Sequence, residues 1–106
     1  MITIEDFKKL QIVIAQIKEV KEHPNADKLY LVYVDIAGEQ RQLVAGIRPF
    51  YTKKELIGRQ VAVVSNLAPA VIRGEESQGM ILAASDETTI SVLSPDKEVK
   101  LGSPVR

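Results

Sequence analysis

Short apolar runs separated by turn-forming residues recur along most of the chain. Their length and their β-branched content are typical of β-strands, and no run has the length of a long amphipathic helix. Two of the runs flank Ala37-Gly38-Glu39 and are expected to pair as a hairpin. In full, the pattern predicts strands over Ile12–Val20, Leu29–Ile36, Arg41–Ala45, Gln60–Ser65, Met80–Ala84 and Thr88–Leu93.

Two helix starts stand out against this β pattern. Thr3 and Asp6 have the spacing of a capping box, which predicts a short helix at the N-terminus. Thr52 and Glu55 have the same spacing, and Gly58 follows them closely. A single helical turn that ends at this glycine is therefore expected.

This order of elements places one helical turn between the third and the fourth predicted strand. With no alternation of strands and helices, it predicts an all-β fold, a five-stranded barrel of the oligonucleotide/oligosaccharide-binding type (OB-fold) with a short N-terminal helix. Residues 1–106 form one domain in this prediction, and residues from about 85 to 106 form a C-terminal extension. The pattern alone leaves an SH3-like barrel or a small β-sandwich open.

The segment between the strand that ends at Ser65 and the apolar run that opens at Met80 is the most informative part of the sequence. It is predicted to be a long loop with an amide, a cation and a hydroxyl at Asn66, Arg73 and Ser77. Loops displayed by a rigid sheet are where binding residues concentrate. Arg73 is the one cation in this loop and the strongest candidate for ligand binding. Met80 is expected to be buried, because it opens the run MILAA.

Length and composition exclude several classes of protein. The 106 residues suffice for one hydrophobic core. The absence of cysteine excludes disulfides and thiolate sites and fits a reducing cytoplasm. No apolar run reaches the ~20 residues of a membrane span, and the N-terminus lacks the apolar region of a secretory signal. We therefore expect a cytoplasmic protein with no membrane partner.

The formal net charge of zero conceals two blocks of opposite sign. Residues 41–73 contain six cations and one acid, a net charge of +5, and residues 74–98 contain one cation and six acids, a net charge of −5. A segregated basic block can present a positive face to a polyanion such as nucleic acid. The alternative is that the charges mix on the folded surface, and the sequence alone favours neither.

Residue patterns that would support catalysis are missing from the sequence. The single histidine, His23, precedes Pro24 and is interpreted as a turn residue rather than a catalyst. The adjacent acids Glu75 and Glu76 are interpreted as a solvated pair, and no phosphate-binding glycine loop, HExxH or GxSxG motif occurs. We therefore expect a binding protein with no catalytic residue, metal site or cofactor.

Aromatic residues are scarce, which bears on the kind of ligand. The chain has three tyrosines and two phenylalanines, and Tyr30 and Tyr33 lie at opposite parity in one strand. Ordinary strand packing is the favoured interpretation of both tyrosines. Proteins that bind unfolded single strands rely on aromatic stacking platforms, whereas a basic surface poor in aromatics suits recognition of the backbone and shape of RNA.

Five short motifs occur in order along the chain. They are Phe7-Lys8-Lys9-Leu10, His23-Pro24-Asn25-Ala26-Asp27-Lys28-Leu29, Val44-Ala45-Gly46-Ile47, Asn66-Leu67-Ala68-Pro69 and Ser77-Gln78-Gly79-Met80. In this arrangement the sequence resembles the tRNA-binding domain family, from about Ile4 to the C-terminus. Members of that family occur as free-standing dimeric proteins and as the C-terminal part of methionyl-tRNA synthetase, and a relative occurs in the endothelial monocyte-activating polypeptide.

The resemblance implies an OB-type barrel that works as a homodimer, binds tRNA by shape, and in some members has a synthetase catalytic domain as a partner. It implies by position that the tRNA-facing residues include Asn66, Arg73, Ser77 and Met80. The charge pattern adds the basic residues Lys28, Arg48, Lys53, Lys54 and Arg59. Relatives commonly have an arginine and a glycine in the first strand, and Ile12–Ala15 has neither. No RNA contact is therefore expected from that strand.

Two other binding functions stay open on the sequence. One is a dimeric export chaperone on the same barrel that binds unfolded polypeptide; such relatives lack the Ser-x-Gly-Met motif and usually end soon after the fifth strand. The other is a protein-interaction or signalling module. The tail Asp96–Arg106 is apolar for a free end, with Val99, Leu101 and Val105. The resemblance implies that this tail helps to form the dimer.

Overall fold

The computed structural model describes residues 1–106 and contains two short helices and nine strands. The helices are α1 (Ile4–Phe7) and α2 (Lys53–Leu56). The strands are β1 (Ile12–Glu22), β2 (Tyr30–Ile36), β3 (Glu39–Ala45), β4 (Gln60–Val64), β5 (Ala70–Ile72), β6 (Glu75–Ser77), β7 (Met80–Ile81), β8 (Ala83–Ser85) and β9 (Ile90–Val92). The predicted all-β class, the short N-terminal helix and the helical turn between the third and fourth strands are confirmed.

Five of the strands form one curled sheet in the order β3-β2-β1-β4-β7, and each neighbouring pair is antiparallel. β1 is the longest strand, and it pairs with β4 through its first half and with β2 through its second half. A register shift between Ile17 and Glu19 interrupts its pairing with β2. Bulges bend and twist a strand, so this irregularity helps to curl the sheet into a half-barrel.

The hollow of the curled sheet holds the main hydrophobic core. Its fully buried side chains come mainly from alternate positions of the central strands, as expected when one face of a sheet points inward. They are Ile17, Val32, Val34, Leu43, Leu56, Val61 and Val63. A second cluster on the outer face of β1 and β4 consists of Ile12, Ile14, Ala62 and Val64. The first half of β1 and the paired part of β4 are therefore buried on both faces, which accounts for their nearly continuous apolar sequences.

Both helices begin with the capping box that the sequence predicts. The Thr3 side chain accepts a hydrogen bond from the backbone of Asp6, and the Thr52 side chain accepts one from the backbone of Glu55. Gly58 follows α2 with a φ of +90°, in the left-handed region that glycine favours. Neither helix is long and apolar enough to cross a membrane.

The C-terminal tail lies along the first half of β1. The backbone N–H of Ile14 donates to the carbonyl of Ser103 at 3.0 Å, and the N–H of Val105 donates to the carbonyl of Ile12 at 2.8 Å. The side-chain amide of Gln60 bonds both to the N–H and to the carbonyl of Val99. The tail thus covers an edge of β1 that would otherwise leave backbone groups unpaired.

The predicted strand Met80–Ala84 is divided in the structure. β7 ends at Ile81 and β8 begins at Ala83, because Leu82 between them bonds to Ala62 and to Leu93. The expected burial of Met80 is wrong, since 48% of this residue is exposed. Met80 pairs with Val64 and Ile81 pairs with Val63, so alternation turns Ile81 toward the core and Met80 away from it.

Candidate nucleic-acid interface

The segment predicted as a long loop contains a β-hairpin, formed by β5 and β6. Its turn residues Arg73 and Gly74 have φ values of +53° and +89°. Positive φ at both central positions is the signature of a type I′ turn, which suits the twist of a two-residue hairpin. Arg73 is exposed at the tip. This hairpin is difficult to predict from the sequence, because arginine is not among the residues that usually occupy the left-handed position of such a turn.

His23, in the loop between β1 and β2, contacts this hairpin through a hydrogen bond. Only 4% of the residue is exposed. Its Nδ1 accepts a hydrogen bond from the backbone N–H of Asn25 at 2.9 Å. The proton of the neutral ring is therefore on Nε2, which donates to the carbonyl of Ile72 at 3.0 Å. His23 lies in a turn, as expected, and the contact with β5 is one that the sequence could not indicate.

Asn25 makes a second contact between the same two segments. Its Nδ2 donates to the carbonyl of Arg73 at 3.3 Å. The β1–β2 loop (residues 23–29) and the β5–β6 hairpin (residues 70–77) thus lie side by side, and we call them the two-loop face. In OB-folds the loops at these two positions of the barrel are the ones that bind oligonucleotides.

The other side of the hairpin is attached to β3 by polar side chains. Ser77 Oγ accepts from the N–H of Val44 at 2.9 Å and donates to the carbonyl of Gly79 at 3.0 Å. Gln42 Nε2 donates to the carbonyl of Glu76 at 2.8 Å. Ser77 is only 4% exposed, so the structure gives it a role in positioning the hairpin. Direct contact of Ser77 with RNA stays a prediction.

Gly79 permits the chain to return from the hairpin to the barrel. Its φ is +145°, and a Cβ at this position would lie 2.9 Å from the carbonyl oxygen of Val64. A residue other than glycine would be strained here and would collide with backbone. In the Ser-Gln-Gly-Met motif, the serine and the glycine therefore serve the fold, while Met80 remains at the surface.

Asn66 is exposed, yet both ends of its amide are engaged. Nδ2 donates to the carbonyl of Lys9, and Oδ1 accepts from the N–H of Gln11, each at 2.8 Å. The side chain joins the end of β4 to the segment that leads from α1 into β1. This contact explains the residue type without a ligand, and a contact of Asn66 with tRNA stays a prediction.

The cations predicted to bind RNA fall into two groups. Arg48 and Lys53 both contact the carboxylate of Glu22, at 2.8 Å and 3.6 Å. The guanidinium of Arg59 lies over the ring of Tyr51, 5.5 Å from its centroid. The remaining three form no ion pair and are exposed, and they are Lys28, Lys54 and Arg73.

Arg41 is the member of the basic block that serves the fold. It contacts Glu39, and its guanidinium donates to the backbone carbonyls of Ser65 and Gln78. Together with the Glu22 contacts, this means that the +5 of residues 41–73 is reduced by acids from other segments. Both interpretations of the charge pattern hold in part: some charges of the block mix with acids on folding, and two of its cations, Lys54 and Arg73, remain free.

An apolar patch adjoins the tip of the hairpin. Val71 is 73% exposed, and Leu67, Ile72 and Met80 are also exposed. Part of this patch lines a groove of about 250 Å³ between the hairpin and β3. The sequence did not indicate this surface, because these residues were assigned to a loop or to the core. No group of three or more His, Cys, Asp or Glu residues is placed to hold a metal ion.

Comparison with known proteins identifies relatives over nearly the whole chain. A family model described as "Putative tRNA binding domain" matches residues 12–104. A methionine–tRNA ligase from Pyrococcus furiosus is 53% identical over 105 residues, which cover 99% of this chain and 14% of that protein. The chain therefore spans about 14% of the length of such relatives.

Solved structures of other proteins match the whole fold. A MetRS-related protein from Pyrococcus horikoshii superposes with a TM-score of 0.93 at 30% identity, covering 100% of this chain and 98% of that one. A CsaA chaperone protein from Picrophilus torridus superposes with a TM-score of 0.92 at 29% identity, covering 100% of both chains. The expectation that a chaperone of this fold lacks the C-terminal extension is therefore wrong, and chain length does not separate the two functions.

Proposed function

Because the chain belongs to the tRNA-binding domain family, we propose that it binds tRNA through the two-loop face. The observation that carries this proposal is the pair of hydrogen bonds from His23 to Ile72 and from Asn25 to Arg73. They join the two loops that OB-folds use for oligonucleotides and hold a free cation at the tip. The backbone at the tip is held while the Arg73 side chain is exposed, so its guanidinium can reach a phosphate of a folded RNA.

The predicted site residues divide by role in this proposal. Lys28, Lys54 and Arg73 are free to contact phosphates, and Arg48, Lys53 and Arg59 add charge behind them. Met80 offers an exposed apolar contact, while Ser77 and Asn66 position the backbone. With one exposed phenylalanine and no tryptophan on the chain, recognition rests on the backbone and shape of tRNA rather than on its base sequence.

We further propose that the chain acts as a homodimeric, non-catalytic module of a methionyl-tRNA synthetase or of a free-standing relative in the cytoplasm. The tail, from about residue 85 to 106, contributes to the dimer in this proposal. In support, it leaves an apolar groove of about 430 Å³ lined by Ile14, Leu93, Val99 and Val105. An isologous pairing of such grooves would bring two basic faces to one tRNA.

A salt titration with mixed tRNA tests the binding proposal. The logarithm of affinity should fall linearly with the logarithm of salt concentration, with a slope of about 0.9 or less per phosphate contact. Arg73→Ala should weaken binding of all tRNAs by a similar factor and change stability by less than about 0.5 kcal/mol. Lys18→Ala, an exposed cation on β1 outside the two-loop face and outside the tail, is the matched control and should change nothing. Affinity that is independent of salt would contradict the proposal.

Binding of unfolded polypeptide is a second candidate function. It is favoured by the exposed apolar patch of Leu67, Val71, Ile72 and Met80 beside the hairpin tip. A separate titration with a reduced, carboxymethylated polypeptide, followed directly rather than by competition, distinguishes the two candidates. If the polypeptide binds while tRNA does not, the chaperone-like function is the correct one.

The dimer needs a test that spares the fold. Deletion of the tail would also remove the hydrogen bonds that Ser103 and Val105 make with β1. Val99→Glu is a better variant, because Val99 is partly exposed and is held through its backbone by Gln60. We expect a dimeric mass for the wild type and a monomeric mass for Val99→Glu in light scattering. A variant that stays dimeric would place the interface elsewhere.

A further inference from the structure

A shallow pocket of about 510 Å³ lies beside the two-loop face, between the end of β3 and the start of α2. Aromatic and cationic side chains line it together. The lining residues that matter here are Tyr30, Arg48, Phe50, Tyr51 and Lys53. Neither the charge pattern nor the motifs identified this pocket.

Two of the aromatic side chains in the pocket are held by hydrogen bonds, and the third is exposed. The hydroxyl of Tyr30 donates to the carbonyl of Tyr51 at 2.7 Å, and the hydroxyl of Tyr51 accepts from the N–H of Val92 at 3.1 Å. Both tyrosines are therefore held by the barrel. Phe50 is 41% exposed, and its backbone N–H is bonded to the carbonyl of Ile47 at 2.9 Å. A phenyl ring on an ordered turn offers a stacking surface at low entropic cost.

The two cationic side chains of the pocket contact the same acid, Glu22. Arg48 Nη2 lies 2.8 Å from one carboxylate oxygen of Glu22, and Lys53 Nζ lies 3.6 Å from the other. Glu55 at the rim carries a second negative charge, and the guanidinium of Arg59 lies close enough to attract it. The three cations Arg48, Lys53 and Arg59 therefore exceed the two acids by one charge, which a phosphate can neutralise. Phosphate binds arginine in a bidentate geometry, as a carboxylate does, so it can replace Glu22 on the guanidinium.

The pocket is continuous with the two-loop face. Arg48 Nη1 donates to the carbonyl of Ala26 at 3.3 Å. Ala26 belongs to the β1–β2 loop, which Asn25 joins to the hairpin tip through the carbonyl of Arg73. An RNA backbone bound at the tip can therefore run directly to Arg48. Glu55, also at the rim, is occupied by its capping bond to Thr52, which holds its pKa below the usual range.

We propose that this pocket receives one unpaired nucleotide of the bound RNA. Its base stacks on Phe50, its phosphate contacts Arg48 and Lys53, and Glu22 is displaced. The proposal rests on the proposed function, since it adds a nucleotide subsite to an RNA-binding face. It also assigns Glu22 a role, as an acid that weakens binding of RNA phosphates to the two cations beside it.

The first test compares two RNA hairpins that differ by one unpaired nucleotide in the stem. The wild-type chain should prefer the hairpin with the unpaired nucleotide. Phe50→Ala should abolish most of that preference, a loss of about 5-fold to about 100-fold given the usual strength of base–aromatic stacking. Ile4→Ala removes an exposed apolar side chain on α1 and is the matched control, which should keep the preference.

The second test asks whether removal of an acid strengthens RNA binding and removal of a base weakens it. Glu22→Gln should tighten binding of the hairpin with the unpaired nucleotide by several-fold, while Arg48→Ala should weaken it. Glu19→Gln, an exposed acid on the same strand that pairs with Lys21, is the control and should have a smaller effect. Circular dichroism of each variant establishes that the fold is retained. Weaker or unchanged binding by Glu22→Gln would overturn the proposed role of Glu22.

The outcomes separate this proposal from the function on which it rests. If the wild type binds tRNA and Phe50→Ala binds the two hairpins as the wild type does, the nucleotide pocket is wrong and the tRNA-binding function stands. If the wild type binds neither tRNA nor the hairpins, both proposals fail. If both hairpins bind equally to the wild type, the pocket does not accept an unpaired base and the proposal is overturned.

Discussion

The barrel wall and the β5–β6 hairpin are held by different forces. The wall, formed by β1 to β4, buries apolar side chains on its inner face, and β1 and β4 bury them on both faces. The three residues of β5 are all exposed. The hairpin is attached by hydrogen bonds from the side chains of His23, Asn25 and Gln42 and by one from the N–H of Val44 to Ser77. The wall therefore sets the stability of the chain, and a few polar contacts set the position of the hairpin.

This difference separates folding from binding. Apolar burial contributes in proportion to the area removed from water, so the wall accounts for most of the stabilisation. Each polar contact contributes about 1 kcal/mol net, yet it has a direction and fixes geometry. A segment held in this way can lose its position while the barrel stays folded, which is the behaviour expected of low-stability binding loops. The following variants test whether the two regions respond independently.

The largest effect is expected from the wall. Ile17→Ala empties a fully buried position in β1 and should lower the free energy of unfolding by about 2–5 kcal/mol. Urea unfolding followed by circular dichroism gives this value. Affinity for tRNA without denaturant should be unchanged, because Ile17 has no part in holding the hairpin. A similar loss of stability from Ile4→Ala, on the exposed face of α1, would contradict this account of the core.

The next effect arises where the two regions meet. Gly79→Ala forces a side chain into a positive-φ conformation and places Cβ 2.9 Å from the carbonyl of Val64. We expect a loss of about 1–3 kcal/mol from the backbone conformation, together with weaker tRNA binding. Gly38→Ala is the matched control, since its φ is +93° and no atom lies within 4 Å of the added Cβ. If Gly79→Ala and Gly38→Ala changed tRNA affinity equally, the close contact between Gly79 and β4 would not be what positions the hairpin.

A smaller effect on stability is expected at the histidine, because its replacement adds no steric clash of the kind that Gly79→Ala creates. His23→Ala leaves the carbonyl of Ile72 and the N–H of Asn25 without their partners, at a cost of about 1–3 kcal/mol. Amide hydrogen exchange should accelerate in the hairpin and remain slow in β1 and β4. The affinity of His23→Ala for tRNA should also fall, because the hairpin is no longer held in position. Uniform acceleration across the barrel would mean that hairpin and wall form one cooperative unit.

The smallest effect is expected at the turn between β8 and β9, which has no role in the proposed RNA-binding face. The backbone N–H groups of Thr88 and Thr89 bond to Asp86 and hold its pKa below the ordinary 3.8. A lowered pKa stabilises the fold above the ordinary value, and this contribution is lost as pH falls through the lowered one. The stability difference between wild type and Asp86→Ala should therefore disappear in acid. A difference that grows in acid would have the wrong sign.

The parts of the fold that were predictable are those in which local pattern and tertiary contact agree. The capping boxes at Thr3 and Thr52 depend on residues three positions apart, and both are confirmed. The first half of β1 and most of β4 are apolar runs because both of their faces are buried. Such signals are present in the sequence itself, so no knowledge of distant partners is needed to read them.

The parts that were missed depend on contacts between residues far apart in sequence. β5 and β6 are short and exposed, their turn contains an arginine, and their positions depend on His23 and Gln42. Met80 was assigned to the core from an apolar run that the structure divides at Leu82. The sequence does not distinguish the free cations from Arg41, because the guanidinium of Arg41 is engaged by carbonyls of residues distant in sequence.

The measurement that tests the central claim most directly is a map of amide hydrogen exchange with and without saturating tRNA. Added protection should be concentrated in residues 23–29 and 70–77, with a further contribution from residues 46–54. The turn between β8 and β9 and the interior of the barrel wall should be unaffected. Protection confined to β8, β9 and the groove beside Val99 would place the RNA elsewhere and contradict the assignment of binding to the two-loop face.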